Sequence, residues 1–106
     1  VVDGTLEGRT VLSPVVRAGM LRERIHGRDR VLPFDIRWAA GLMRNEGLNI
    51  FGPNPDAAGY CGWGGSCAFA DPEAGLSMAY VMTRQSPHLI GDPRAGRLIG
   101  AVYGGM

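Results

Sequence analysis

Serine, cysteine, histidine and tyrosine carry most of the chemistry that this sequence of 106 residues could perform. A nucleophilic serine needs a base within hydrogen-bond reach, commonly a histidine or a lysine. Lysine is excluded by count, because all eleven basic residues are arginine. Arginine keeps its charge at neutral pH and cannot serve as a general base. His26 and His88 fall in expected loops with no obvious acidic neighbour, so neither reads as a catalytic base. Asp71 opens Asp71-Pro72-Glu73-Ala74-Gly75, where an aspartate normally bonds nearby turn backbone rather than acting as an acid. Tyr60 and Trp63 lie on an expected hairpin, where aromatic residues usually pack across strands. Two thiols, Cys61 and Cys67, are too few for a closed metal site, and no metal or organic cofactor is implied.

The elements that must position these residues are legible from caps and periodicity. Ser13 as N-cap and Pro14 at the first helical position predict a helix over 14–21. The arginine-rich stretch 22–33, with Arg22, Arg24, Arg28 and Arg30, reads as a solvated loop. Alternation of Ile36, Trp38 and Ala40 predicts a strand over 35–44, and turn residues predict a long loop over 45–58. Strands are expected at 59–63, 66–70 and 75–83, the last apolar on both faces as in the centre of a sheet. A two-residue turn at Gly64-Gly65 would set Trp63 opposite Ser66 and Cys61 opposite Ala68. Cys61 and Cys67 would then not face each other, and a disulfide would need another register. Asp92 and Pro93 predict a final helix over 93–103, its Ala95, Leu98, Ile99, Val102 and Tyr103 lying on the sheet. Trp38, Met43, Met78 and Met82 are expected in the core.

These elements make an α+β arrangement: an antiparallel meander with a terminal helix packed on one face. One helix leaves the other face of such a sheet bare, so the chain reads as an incomplete domain. Composition is ordinary, with 45% hydrophobic and 20% charged residues and a formal net charge of +1. That balance gives no reason to expect a nucleic-acid partner. No apolar run approaches the length of a membrane span.

The stretch 59–82, Gly-Tyr-Cys-Gly-Trp-Gly-Gly-Ser-Cys-Ala-Phe-Ala-Asp-Pro-Glu-Ala-Gly-Leu-Ser-Met-Ala-Tyr-Val-Met, resembles one region of a known family. It is similar to the last active-site strand and following hairpin of the β-lactamase-related serine hydrolases. That family holds class C β-lactamases, penicillin-binding proteins and esterases of the same fold. The flanks agree: Val11-Leu12-Ser13-Pro14, Arg37-Trp38, and Asp92-Pro93-Arg94 through Leu98, Val102 and Tyr103. The resemblance implies that residues 1–106 are the C-terminal portion of the β-lactamase/transpeptidase-like fold. The expected partner is then the N-terminal remainder of the same domain, and the expected substrate a small ester, amide or β-lactam.

The family's nucleophile, in Ser-x-x-Lys, and its Tyr-x-Asn lie upstream of this region. Ser13, Ser66, Ser77 and Ser86 have no lysine three residues on, and Tyr60, Tyr80 and Tyr103 are not followed by x-Asn. The chain alone is therefore expected to be inactive. Counting back from Asp71-Pro72 places the third motif, Lys-Thr-Gly or His-x-Gly in relatives, at Tyr60-Cys61-Gly62. A register using Trp63-Gly64-Gly65 instead is disfavoured by the same spacing. The resemblance implies that the Trp63 N–H is one oxyanion donor and that Tyr60, Cys61, Gly62 and Trp63 border substrate. Gly62 would admit a close approach to the backbone. Tyr60 departs from the family's cation, and a neutral phenol tilts the expectation toward esters.

Overall fold

The computed structural model describes residues 1–106. A small hairpin, β1 (Thr5–Leu6) with β2 (Arg9–Thr10), leads into helix α1 (Pro14–Leu21). Ser13 caps α1 as its residue type suggests, its Oγ accepting from the Val16 N–H at 3.3 Å. Six further strands follow: β3 (Ile25–Arg28), β4 (Asp35–Trp38), β5 (Met43–Arg44), β6 (Ala58–Cys61), β7 (Cys67–Asp71) and β8 (Leu76–Tyr80). They form one antiparallel sheet in sequence order, and helix α2 (Pro93–Gly104) closes the chain. This is the α+β arrangement expected, with mixed helix and strand around one sheet.

The sheet differs from expectation at three places. The 22–33 stretch contains β3, paired with β4 through Ile25↔Trp38 to Arg28↔Asp35. Its residues are mostly exposed, so no alternation of apolar side chains marks them as a strand. The expected strand over 35–44 is two strands, β4 and β5, joined by a tight turn at Ala39–Leu42 and paired through Trp38↔Met43. The strand over 75–83 is β8, and it lies at the sheet edge, pairing only with β7. Its Ser77 and Ala79 are exposed, so small residues on the open face mimic the pattern of a central strand.

The core lies between the sheet, the 45–57 loop and α2. Ile36, Met43, Phe51, Ala57, Cys61, Cys67, Phe69, Ile90, Ala95 and Ile99 form it. Phe51 and Phe69 stack at 5.4 Å, a pairing worth ~0.5–1.5 kcal/mol beyond burial. On α2, Ala95 and Ile99 are buried and Tyr103 is half-buried, but Leu98 and Val102 stay exposed. The helix thus buries a narrower stripe than its apolar residues span.

Two buried polar residues organise the long loops. Asn45 is fully buried; its Nδ2 donates to the Gly52 and Asn54 carbonyls at 2.7 and 2.9 Å, and its Oδ1 accepts from the Phe51 N–H at 2.8 Å. Asp71, also fully buried, accepts from the Ala74 N–H at 3.0 Å, Asn54 Nδ2 at 2.8 Å and the Tyr103 hydroxyl at 2.5 Å. Its turn-forming role is as expected, and it also anchors α2 to the sheet. Burial pushes the Asp71 carboxyl up; these hydrogen bonds outweigh that and hold it below the usual range. Burial and the adjacent Asp71 carboxylate raise the Tyr103 phenol above its ordinary value.

Four of the eleven arginines act on backbone. Arg17, Arg24, Arg44 and Arg94 donate to the carbonyls of Val2, Gly19, Leu21 and Arg84 at 2.6–2.8 Å. A forked guanidinium can do this while also holding a carboxylate, as Arg44 does with Asp56 at 2.7 Å. No helix is long and apolar enough to cross a membrane.

Candidate active site

The hairpin between β6 and β7 turns on three residues rather than two. The Gly62 N–H donates to the Ser66 carbonyl at 2.8 Å, and the Gly65 N–H returns to the Gly62 carbonyl at 3.2 Å. Trp63, Gly64 and Gly65 form the tip, with Gly64 and Gly65 at φ of +114° and +122°. Only glycine takes such values without strain. The register therefore shifts by one from expectation: Tyr60 faces Ala68, and Cys61 faces Cys67. Both cysteines are buried and free.

The tip is fastened from outside the hairpin. The Gly64 N–H donates to the His88 carbonyl at 3.2 Å, and the Gly64 carbonyl accepts from the Ser86 N–H at 2.9 Å. Arg94, in the first turn of α2, adds Nη2 to that carbonyl at 3.3 Å and pairs with Asp92 at 2.7 Å. Ser86 Oγ donates to the same Asp92 carboxylate at 2.7 Å. The Arg94 guanidinium holds Asp92 well below the usual carboxylate range, opposing burial and aided by Ser86. A Cβ at Gly65 would sit 2.2 Å from Asp92 Oδ2, so the tip has no room for a larger residue. The sequence marks Asp92 as a helix cap, which it is, accepting from the Arg94 N–H at 2.8 Å. Its second role, bracing the turn, carries no sequence signal because it acts through Arg94 on Gly64, thirty residues from that arginine.

Two amides of this braced turn have no acceptor in the protein, those of Trp63 at its tip and Ser66 at its end. Gly62, Gly64 and Gly65 all donate their N–H groups, whereas the Trp63 N–H donates to no acceptor in the protein. The Trp63 indole reaches back to the Pro87 carbonyl at 3.3 Å and remains 73% exposed. Tyr60 is 51% exposed, its ring 6.0 Å from that of Trp38 in a tilted contact. Trp38 is half-buried and donates from Nε1 to Asp29 at 3.2 Å, an aromatic pair that joins β4 to β6. Of the residues singled out from sequence, Tyr60 and Trp63 are thus presented to solvent on one hairpin, and Cys61 points to the core. A Cβ at Gly62 would meet Ser66 Oγ at 2.5 Å, so this glycine also makes room within the turn itself.

Elsewhere the expectations are mixed. His26 has an acidic partner after all, Asp35 across the β3–β4 ladder at 2.5 Å, though both are exposed. His88 is exposed, as expected. Arg22, Arg24, Arg28 and Arg30 are exposed too. Met43 is fully buried, Trp38 and Met78 are half-buried against the core, and Met82 is half-buried outside it. No cluster of three or more potential metal-ligating side chains exists.

Comparison with known proteins agrees with the fold. A penicillin-binding protein homologue from Caulobacter crescentus superposes with a TM-score of 0.95 at 53% identity, over 98% of this chain. A family VIII carboxylesterase superposes at 0.92 with 42% identity, again over 98%. The chain spans 28% of the length of each of those proteins. No curated protein sequence matches the chain. The β-lactamase family model matches residues 2–101, and the chain belongs to the β-lactamase family.

Proposed function

We propose that this chain is the C-terminal segment of a serine hydrolase that works through an acyl-enzyme, with esters favoured over amides and β-lactams. The observation that carries the reading is the unpaired Trp63 N–H at the tip of a turn in which the flanking Gly62, Gly64 and Gly65 N–H groups are bonded. Acyl transfer builds negative charge on the former carbonyl oxygen, and a pre-positioned N–H on a rigid turn stabilises it without reorganisation. In this role Trp63 supplies one donor, and a serine N–H outside residues 1–106 supplies the other. Tyr60, at the third-motif position, offers a phenolic hydrogen bond to the substrate or to the serine's proton network. Cys61 and Gly62 contribute backbone along the same edge, and the exposed Trp63 indole forms one wall of the cleft. The neutral phenol favours substrates that do not require a cation for their carboxylate, and the similarity to a carboxylesterase supports that preference.

The chain alone is inactive in this reading, since no serine in it has a lysine three residues on. A second reading rests on Tyr60 in place of the family's lysine or histidine: a non-catalytic relative that keeps the fold as a binding module. The test is to express the full reading frame that contains residues 1–106. p-Nitrophenyl ester hydrolysis and labelling by a fluorophosphonate are then measured beside the isolated chain. Turnover and labelling in the full-length protein, with neither in residues 1–106, is the expected result. A full-length protein that is folded, unlabelled and inert would favour the binding module.

A further inference from the structure

The geometry points to Cys61 and Cys67 as a site of reversible disulfide formation that staples the hairpin bearing Tyr60, Gly62 and Trp63. The two residues are direct partners in the β6–β7 ladder. Next to them, the Gly62 N–H to Ser66 carbonyl bond makes 62 and 66 a hydrogen-bonded pair. Antiparallel pairs alternate, so Cys61 and Cys67 form a non-hydrogen-bonded pair, the type with Cα atoms about 4.5 Å apart and side chains closest together. Disulfides span Cα separations of roughly 4.4–6.8 Å, so the ladder already holds this pair at bridging distance. Both side chains emerge on the core face, 8% exposed, and both line a cavity of about 390 Å³ between the sheet and α2. That cavity gives a small oxidant a route to sulfurs that are otherwise covered.

The thiols also influence each other. Hydrogen bonding from Cys67 eases loss of the Cys61 proton, against burial and helped by the Gly91 N–H, while Cys67 is held protonated mainly by that same contact. One thiolate is thus available beside one thiol, the arrangement that thiol–disulfide exchange uses. The oxidant is a small disulfide of the glutathione type. Cys61, having lost its proton to solvent, attacks one sulfur of that disulfide, breaking its S–S bond and releasing a first thiol. Cys67 then loses its proton and attacks Cys61 Sγ in the mixed disulfide. The Cys61–Cys67 bond forms and a second small thiol leaves. Two protein thiols are oxidised and one small disulfide is reduced to two thiols, with the protons passing to the leaving thiolates.

This inference does not depend on the catalytic reading. A graded series of oxidised to reduced glutathione tests it, applied to the full-length protein that carries this chain. Exchange is quenched with acid, free thiols are capped with N-ethylmaleimide in denaturant, and the protein is digested. No arginine lies between Arg44 and Arg84, so trypsin leaves both cysteines on one peptide. A further chymotryptic cut after Trp63 separates them unless a bridge joins them. The expected result is that both caps are lost together in one step as the oxidant ratio rises. A Cys61–Cys67-linked pair of peptides then appears, with a thermal midpoint several degrees higher. Two cysteines that remain capped at the most oxidising ratio, or glutathione that stays on either one, would overturn it.

Discussion

Trp63 joins two separable parts, an exposed indole tethered to Pro87 and a backbone N–H with no acceptor. The proposed chemistry uses the second, so the side chain and the amide can be tested apart. Trp63→Pro deletes the donor together with the indole; in the full-length protein kcat is expected to fall ~10²–10³-fold. Trp63→Phe keeps the donor and should retain kcat within about tenfold, with its main effect on KM. Equal losses in the two variants would refute the oxyanion role. Tyr103 allows a second measurement at this scale. Tyr103→Phe removes the 2.5 Å bond to Asp71 and should cost ~1–3 kcal/mol in chemical denaturation at neutral pH. Asp71 and Asp92 are both held below the ordinary carboxylate value of 3.8, so the stability they contribute is complete above it. It is lost as pH falls through their folded values. In Tyr103→Phe the Asp71 share shrinks, so the variant should lose less stability than the parent as pH drops below 3.8, read from thermal midpoints. The sequence points to Tyr60 and to the Trp63 N–H through a family pattern anchored on Asp71-Pro72. That this amide is left without an acceptor is not legible there, because it depends on where Ser66 and His88 fall in space.

At the scale of elements, both helices announce themselves through local chemistry: Ser13-Pro14 and Asp92-Pro93 combine a cap with a preset φ, and the observed starts follow. β6, β7 and β8 were likewise read within two or three residues at their ends, because Gly and Asp-Pro turns bound them. β3 was missed, since Ile25-His26-Gly27-Arg28 lies on an exposed edge and carries no buried alternation. The two-residue turn was wrong because Gly64 and Gly65 are both committed to contacts with 84–92 and Asp92, which a minimal turn ignores. The 45–57 loop was read as a loop, but its order comes from a single side chain. Asn45→Ala would strand two carbonyls and the Phe51 N–H inside the protein. A loss of more than about 2 kcal/mol is expected in urea titration. Asn45→Asp would not rescue it, since a carboxylate cannot donate to Gly52 and Asn54.

For the molecule as a whole, the apolar surface left uncovered is considerable. Val15, Val16, Ile25, Val31, Val81, Leu98 and Val102 are all exposed, and β3 and β8 each present an open strand edge. Exposed edges and apolar patches favour association between chains. Residues 1–106 expressed alone should therefore self-associate with rising concentration in light scattering, and Leu98→Lys with Val102→Glu should reduce it. A concentration-independent monomer would argue that these faces are tolerated in water. The bracing of the turn by α2 has a further consequence, visible in time rather than in space. Gly62, Gly64 and Gly65 amides can exchange with deuterium only when their bonds to the Ser66, His88 and Gly62 carbonyls open, whereas the Trp63 amide needs no opening at all. Residue-resolved exchange should show the Trp63 proton fast between slow protons at Gly62 and Gly64, a kinetic signature read within three consecutive peptide groups.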